Sequence, residues 1–123
     1  MAEQKQIVGK RILLVEDDPG ARDSIKLLRT IDRHEVVEAA GGEEAIEVLK
    51  SQPFDLAILD YCMPGMQGSQ VALHFKRIVP SLPILMITAY LEKLRDSDKP
   101  VDLVIGKPFA IEDLRSAITK LLS

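Results

Sequence analysis

The sequence predicts a single α/β domain built as a parallel sheet wound with helices, and two patterns in it carry that reading. Apolar runs of strand length alternate with segments whose apolar residues recur at helical spacing, as winding helices onto a parallel sheet requires. Four of the runs (Ile12 to Val15, Leu56 to Leu59, Ile84 to Ile87, and Val101 to Ile105) lead into polar punctuation: Glu16-Asp17-Asp18, Asp60, Thr88 and Lys107-Pro108. Strands covered on both faces read as continuous hydrophobic runs, and the first three of these do.

The first strand, Arg11 to Val15, breaks into Asp18-Pro19, an Asp N-cap with Pro at the first helical position. The helix that follows carries Ala21, Ile25 and Leu28 on one face and ends near Thr30. His34 to Ala39 makes a second strand, placed at a sheet edge because Glu35 and Glu38 are mixed with Val36 and Val37. Gly41-Gly42 turns into a helix over Glu43 to Ser51, with Ala45, Ile46 and Leu49 facing inward. Pro53 closes it before the third strand, Asp55 to Leu59. A loop from Tyr61 to Gly68 leads to a helix with Val71, Ala72, Phe75, Ile78 and Val79 at core spacing. Pro80 and Pro83 bracket the turn into the fourth strand, and the last helix, Ile111 to Leu122, repeats at Ile111, Leu114, Ile118 and Leu121. Between Thr88 and Val101, Leu91 and Leu94 are the well-spaced apolar anchors, which predicts about two helical turns at most.

At 123 residues the chain has the length of one ordinary domain, and the expectation is a single unit acting without a separate output domain. Hydrophobic residues at 46% and charged residues at 28% describe a soluble globular protein. No apolar run approaches the roughly 20 residues of a membrane helix, and the N-terminus has no signal-peptide segment. A single Cys62 excludes an internal disulfide, and a cytoplasmic setting follows. The net charge of -3 gives no basis for nucleic-acid binding.

In a parallel sheet these strand ends share one edge, where ligands bind close to the reversal of strand order. That edge gathers Glu16, Asp17 and Asp60 with the Thr88 hydroxyl and the Lys107 ammonium. Carboxylates this close repel, so their titrations couple and a cation is favoured. Hard oxygen ligands without a His or Cys pair select Mg²⁺ or Mn²⁺ over zinc. Asp60, on the middle strand, is the candidate nucleophile for a phosphoryl group, forming an aspartyl-phosphate. The metal and Lys107 would neutralise charge on the transferring oxygens, and Thr88 could hydrogen-bond one of them. Asp18 is read instead as a solvated acid complementing the helix dipole. Tyr90, two positions after Thr88, could screen the phosphoryl group from water, and the Cys62 side chain is read as inert. His34 and His74 have no partners at useful spacing and receive no role.

The strings Ile-Leu-Leu-Val-Glu-Asp-Asp, Leu-Asp-Tyr-Cys-Met-Pro-Gly-Met-Gln-Gly, Ile-Thr-Ala-Tyr and Gly-Lys-Pro-Phe resemble the receiver domain of two-component response regulators. The match covers residues 7 to 123 and leaves residues 1 to 6 as a tail. Four such strings in this order and spacing are highly specific. The resemblance implies a flavodoxin-like five-stranded sheet in order 2-1-3-4-5, phosphorylated on Asp60 by a sensor histidine kinase or histidine phosphotransfer protein. It implies that Asp17 and Asp60 ligate Mg²⁺, with the Cys62 backbone carbonyl as a further ligand and Glu16 acting mainly through water. It also implies a cis peptide between Lys107 and Pro108. Such a domain is no enzyme beyond phosphotransfer to itself and slow self-dephosphorylation, and it signals through contacts with a downstream protein that the sequence does not name.

Two departures from the family pattern stand out. Val104 occupies the position three before the lysine where an aromatic residue is usual, and the stretch from Thr88 to Lys107 is short, at the expense of the fourth helix. Both fall on the face such domains commonly use for output. They sustain an alternative, a degenerate receiver that acts as a phosphorylation-independent interaction module. A haloacid-type phosphatase would want a second Asp two positions after the nucleophile, where Cys62 stands. A nucleotide-binding oxidoreductase would want a Gly-rich turn in place of Asp17-Asp18-Pro19.

Overall fold

A computed structural model describes residues 8–16, 27–30, 32–60, 68–89 and 101–123. Five parallel strands form one sheet: β1 (Arg11–Val15), β2 (Glu35–Ala39), β3 (Leu56–Asp60), β4 (Ile84–Thr88) and β5 (Leu103–Gly106). Their order is β2-β1-β3-β4-β5, which is the flavodoxin-like winding. The chain leaves β1 toward one edge and returns past it to β3, so strand order reverses between those two strands. Residues 27–30 are helical, followed by α1 (Gly42–Ser51), α2 (Gly68–Ile78) and α3 (Ile111–Leu122).

Alternation along each strand sorts the apolar side chains into two cores. Leu13, Val15, Ala57, Leu59 and Ile84 meet Ala45 and Leu49 of α1 and Val71, Ala72 and Phe75 of α2. Ile12, Leu14, Ile58, Leu85 and Ile87 meet Leu28 together with Leu114, Ala117 and Ile118 of α3. Every residue of β3 and β4 is buried, which is why those runs carry no polar alternation. Phe75 is fully enclosed, and its burial alone is worth about 2–3 kcal/mol.

The helices start and stop for local reasons. Gly41, in extended conformation, precedes α1 without a side-chain cap. Glu44 reaches back instead, its Oε1 accepting the Ala40 N–H at 2.9 Å, while acids in the first turn and Lys50 in the last suit the helix dipole. At the start of α3, Asp113 Oδ2 accepts the Ala110 N–H at 3.0 Å. Arg29, in the helical residues 27–30, donates to the Val36 carbonyl at 2.7 Å and to Glu38 at 2.9 Å, tying that segment to the edge strand.

Several boundaries differ from the sequence reading. β2 begins at Glu35, because the His34 ring turns inward and its side chain rather than its backbone partners β1. β3 extends through Asp60 and β4 through Thr88, so both polar residues stand on strands rather than just beyond them. β5 runs from Leu103 rather than Val101. Asp102 marks that shift: its N–H still donates to the Ile84 carbonyl at 2.9 Å, but its Oδ2 rather than a backbone carbonyl accepts the Ile84 N–H at 2.8 Å, along with Lys76 Nζ at 2.9 Å. The tail of residues 1 to 6, the start of the first helix with Ala21 and Ile25, and the shortened fourth helix with Leu91 and Leu94 lie outside the described residues. Among the described residues, no helix is long and apolar enough to cross a membrane.

Candidate functional site

Strand parity decides which polar residues meet. Ile12 and Leu14 face the α3 side of the sheet, and so do Ile58 and Ile105 on their strands. Continuing each alternation by two residues brings Glu16, Asp60 and Lys107 to that same side, at neighbouring strand ends. Register completes the alignment: Val15 pairs with Leu59, Asp60 with Ile87, and Thr88 with Gly106. Three residues from distant parts of the chain thus converge on one rim.

The contacts are direct. Lys107 Nζ lies 3.3 Å from Asp60 Oδ2 and 3.6 Å from Glu16 Oε1. The side chains of Glu16 and Asp60 are 3% and 7% exposed, against 25% for Lys107, so one partly hydrated ammonium serves two carboxylates largely cut off from water. At such depth an unneutralised pair of acids would repel strongly, and a shared cation relieves both. Backbone bonds hold the frame: the Glu16 N–H donates to the Ala39 carbonyl at 3.1 Å, and the Lys107 N–H to the Thr88 carbonyl at 2.8 Å. Thr88 is itself buried. The peptide between Lys107 and Pro108 is cis.

Asp17, Cys62 and Tyr90, and with them Asp18, lie outside the described residues. Of the expected metal ligands the structure therefore describes Glu16 and Asp60, and among the described residues no group of three acidic, His or Cys side chains clusters as a metal site. The donors it does bring to this rim are carboxylate oxygens, the chemistry that a hard divalent cation takes.

The profile of the response regulator receiver domain family matches residues 12–119. The chain belongs to this family. The response regulator receiver protein CpdR of Brucella abortus is 39% identical to this receiver domain over 117 residues, covering 92% of this chain and 97% of CpdR. Response regulator MprA of Mycolicibacterium vanbaalenii is 33% identical over 115 residues, and the receiver spans 91% of its own length but only about half of MprA (50%). Among solved structures, response regulator TrrA of Thermotoga maritima, in complex with Mg²⁺-BeF, superposes with a TM-score of 0.84 at 34% identity. That match covers 92% of this receiver and 99% of the TrrA chain.

One set of residues went unassigned in the sequence. Asp32, 2% exposed, receives two hydrogen bonds from Arg115, from Nε at 2.8 Å and from a terminal nitrogen at 2.9 Å, and His34 is buried close by. Asp32 and Arg115 stand 83 positions apart. No local spacing signals that pair, because Arg115 sits between the apolar positions of an otherwise ordinary amphipathic helix.

Proposed function

We propose that this receiver takes a phosphoryl group on Asp60 in a Mg²⁺-dependent reaction and signals by contact with another protein. The observation that carries the proposal is the shared ion pair, Lys107 with Glu16 and Asp60, at the carboxyl ends of β1, β3 and β5. An Asp60 oxygen attacks the phosphorus of a phosphohistidine on a histidine kinase or phosphotransfer protein, and the bond from phosphorus to the imidazole nitrogen breaks. Lys107, already within 3.3 Å of Oδ2, offsets charge on the transferring oxygens. Thr88, at the end of the neighbouring strand, offers a hydroxyl to one of those oxygens. Glu16, Asp17, Asp60 and the Cys62 carbonyl are the proposed holders of the metal, which when bound supplies positive charge against the phosphoryl oxygens.

The chemistry costs the protein little beyond placement, since phosphoryl transfer depends mostly on positioning and charge stabilisation. Val104, paired with Met86 and partly buried on β5, stands where the family usually has an aromatic residue, so the response is carried without that ring. Incubation with acetyl phosphate and Mg²⁺, read by intact mass, tests the proposal. Gain of one phosphoryl group, labile to hydroxylamine, supports it. No gain points to the degenerate, phosphorylation-independent module.

A further inference from the structure

Away from the acidic rim, at the edge where β1 begins, His34 is 4% exposed. Its Nδ1 accepts the Lys10 N–H at 3.1 Å, so the proton of the neutral ring sits on Nε2. That Nε2 is buried and has no hydrogen-bond partner among the described residues. The surrounding bonds make His34 the hinge of a small knot. Its own N–H donates to the Leu28 carbonyl at 3.4 Å, Gly9 donates to the Asp32 carbonyl at 3.0 Å, and Glu35 donates to the Lys10 carbonyl at 2.9 Å.

Burial above all disfavours a second proton on the ring. Of the charges around it, Asp32 acts most and in the opposite direction, while Arg115 on α3 and Lys10 on the approach to β1 add to the effect of burial. Asp32 has both carboxylate oxygens engaged by Arg115, at 2.8 and 2.9 Å. Glu35, next in the chain, turns outward to Arg11 at 3.4 Å. Protonated at Nδ1, the ring would set a donor against the Lys10 N–H, and the bond between them would be lost.

We propose that His34 is a proton-operated latch: the neutral ring adds one tie between the entry of β1 and the turn before β2, and protonation of Nδ1 breaks that tie, leaving the two backbone bonds to hold the segments alone. The sign follows from linkage. A histidine held below its ordinary value of about 6.5 lends stability that is intact above that pH and is lost as the pH falls from there toward the folded value. The latch is independent of phosphate chemistry at Asp60.

The test is an imidazole titration by NMR on the full chain, with pH-dependent melting of the parent and of His34→Asn, whose side-chain oxygen can still accept from Lys10. His34 should titrate below the ordinary histidine value of about 6.5, and Lys10 amide protection should fall in step with it. The parent should take up a fraction of a proton per molecule on unfolding at a pH between the folded value and about 6.5, and His34→Asn should lose that uptake. His34 titrating at or above about 6.5, or Lys10 protection unchanged through the titration, overturns the latch. So does His34→Asn keeping the full acid loss. Should His34→Asn fail to fold, the two readings on the parent still decide.

Discussion

Lys107 Nζ stands between two carboxylates, 3.3 Å from Asp60 and 3.6 Å from Glu16. One ammonium therefore lies within ion-pair reach of two buried carboxylates.

Lys107→Ala takes that ammonium away from Glu16 and Asp60, at a cost of about 1–3 kcal/mol for groups so far from water. Melting curves with and without Mg²⁺ should show a lower starting temperature and a larger rescue by the ion than in the parent. Equal melting in both conditions would remove Lys107 from the site.

Asp60→Asn keeps the shape of the side chain and removes the nucleophilic oxygen's charge. Labelling by acetyl phosphate should disappear while the melting temperature is held or raised, since one of two repelling acids has been neutralised. Full labelling of the variant would reject Asp60 as the acceptor.

Mg²⁺ should stabilise the folded chain by mass action, about 2.7 kcal/mol at a hundredfold excess over Kd. Asp17→Asn should abolish most of that gain. If the variant binds the ion as tightly as the parent, Asp17 is not a ligand.

The Asp32–Arg115 pair predicts an asymmetry. Arg115 is 27% exposed and Asp32 only 2%, so a widowed guanidinium can reach water and a widowed carboxylate cannot. Arg115→Leu should cost about 3 kcal/mol, and Asp32→Asn, which keeps one acceptor for Arg115, about 1 kcal/mol. Chemical denaturation measures both, and the reverse ranking would contradict the burial argument.

Much of this receiver was legible as text. Unbroken apolar runs named the buried strands, and helical spacing named Ala45, Leu49, Val71, Ala72, Phe75, Leu114 and Ile118 as core, because burial on a known period leaves its mark within a few neighbouring residues. The punctuation Glu16, Asp60, Thr88 and Lys107 was visible for the same reason: polar residues that end apolar runs stand out locally.

Tertiary structure alone decided the rest. Which rim residues share a cation depends on parity and register summed over three strands, and a slip of one residue would have turned Asp60 to the other face of the sheet. His34 was passed over for lack of a partner in sequence; its partners are the Lys10 backbone, 24 positions away, and a setting completed by Arg115. Contacts of that range depend on how the chain closes on itself, and side-chain spacing carries no trace of them.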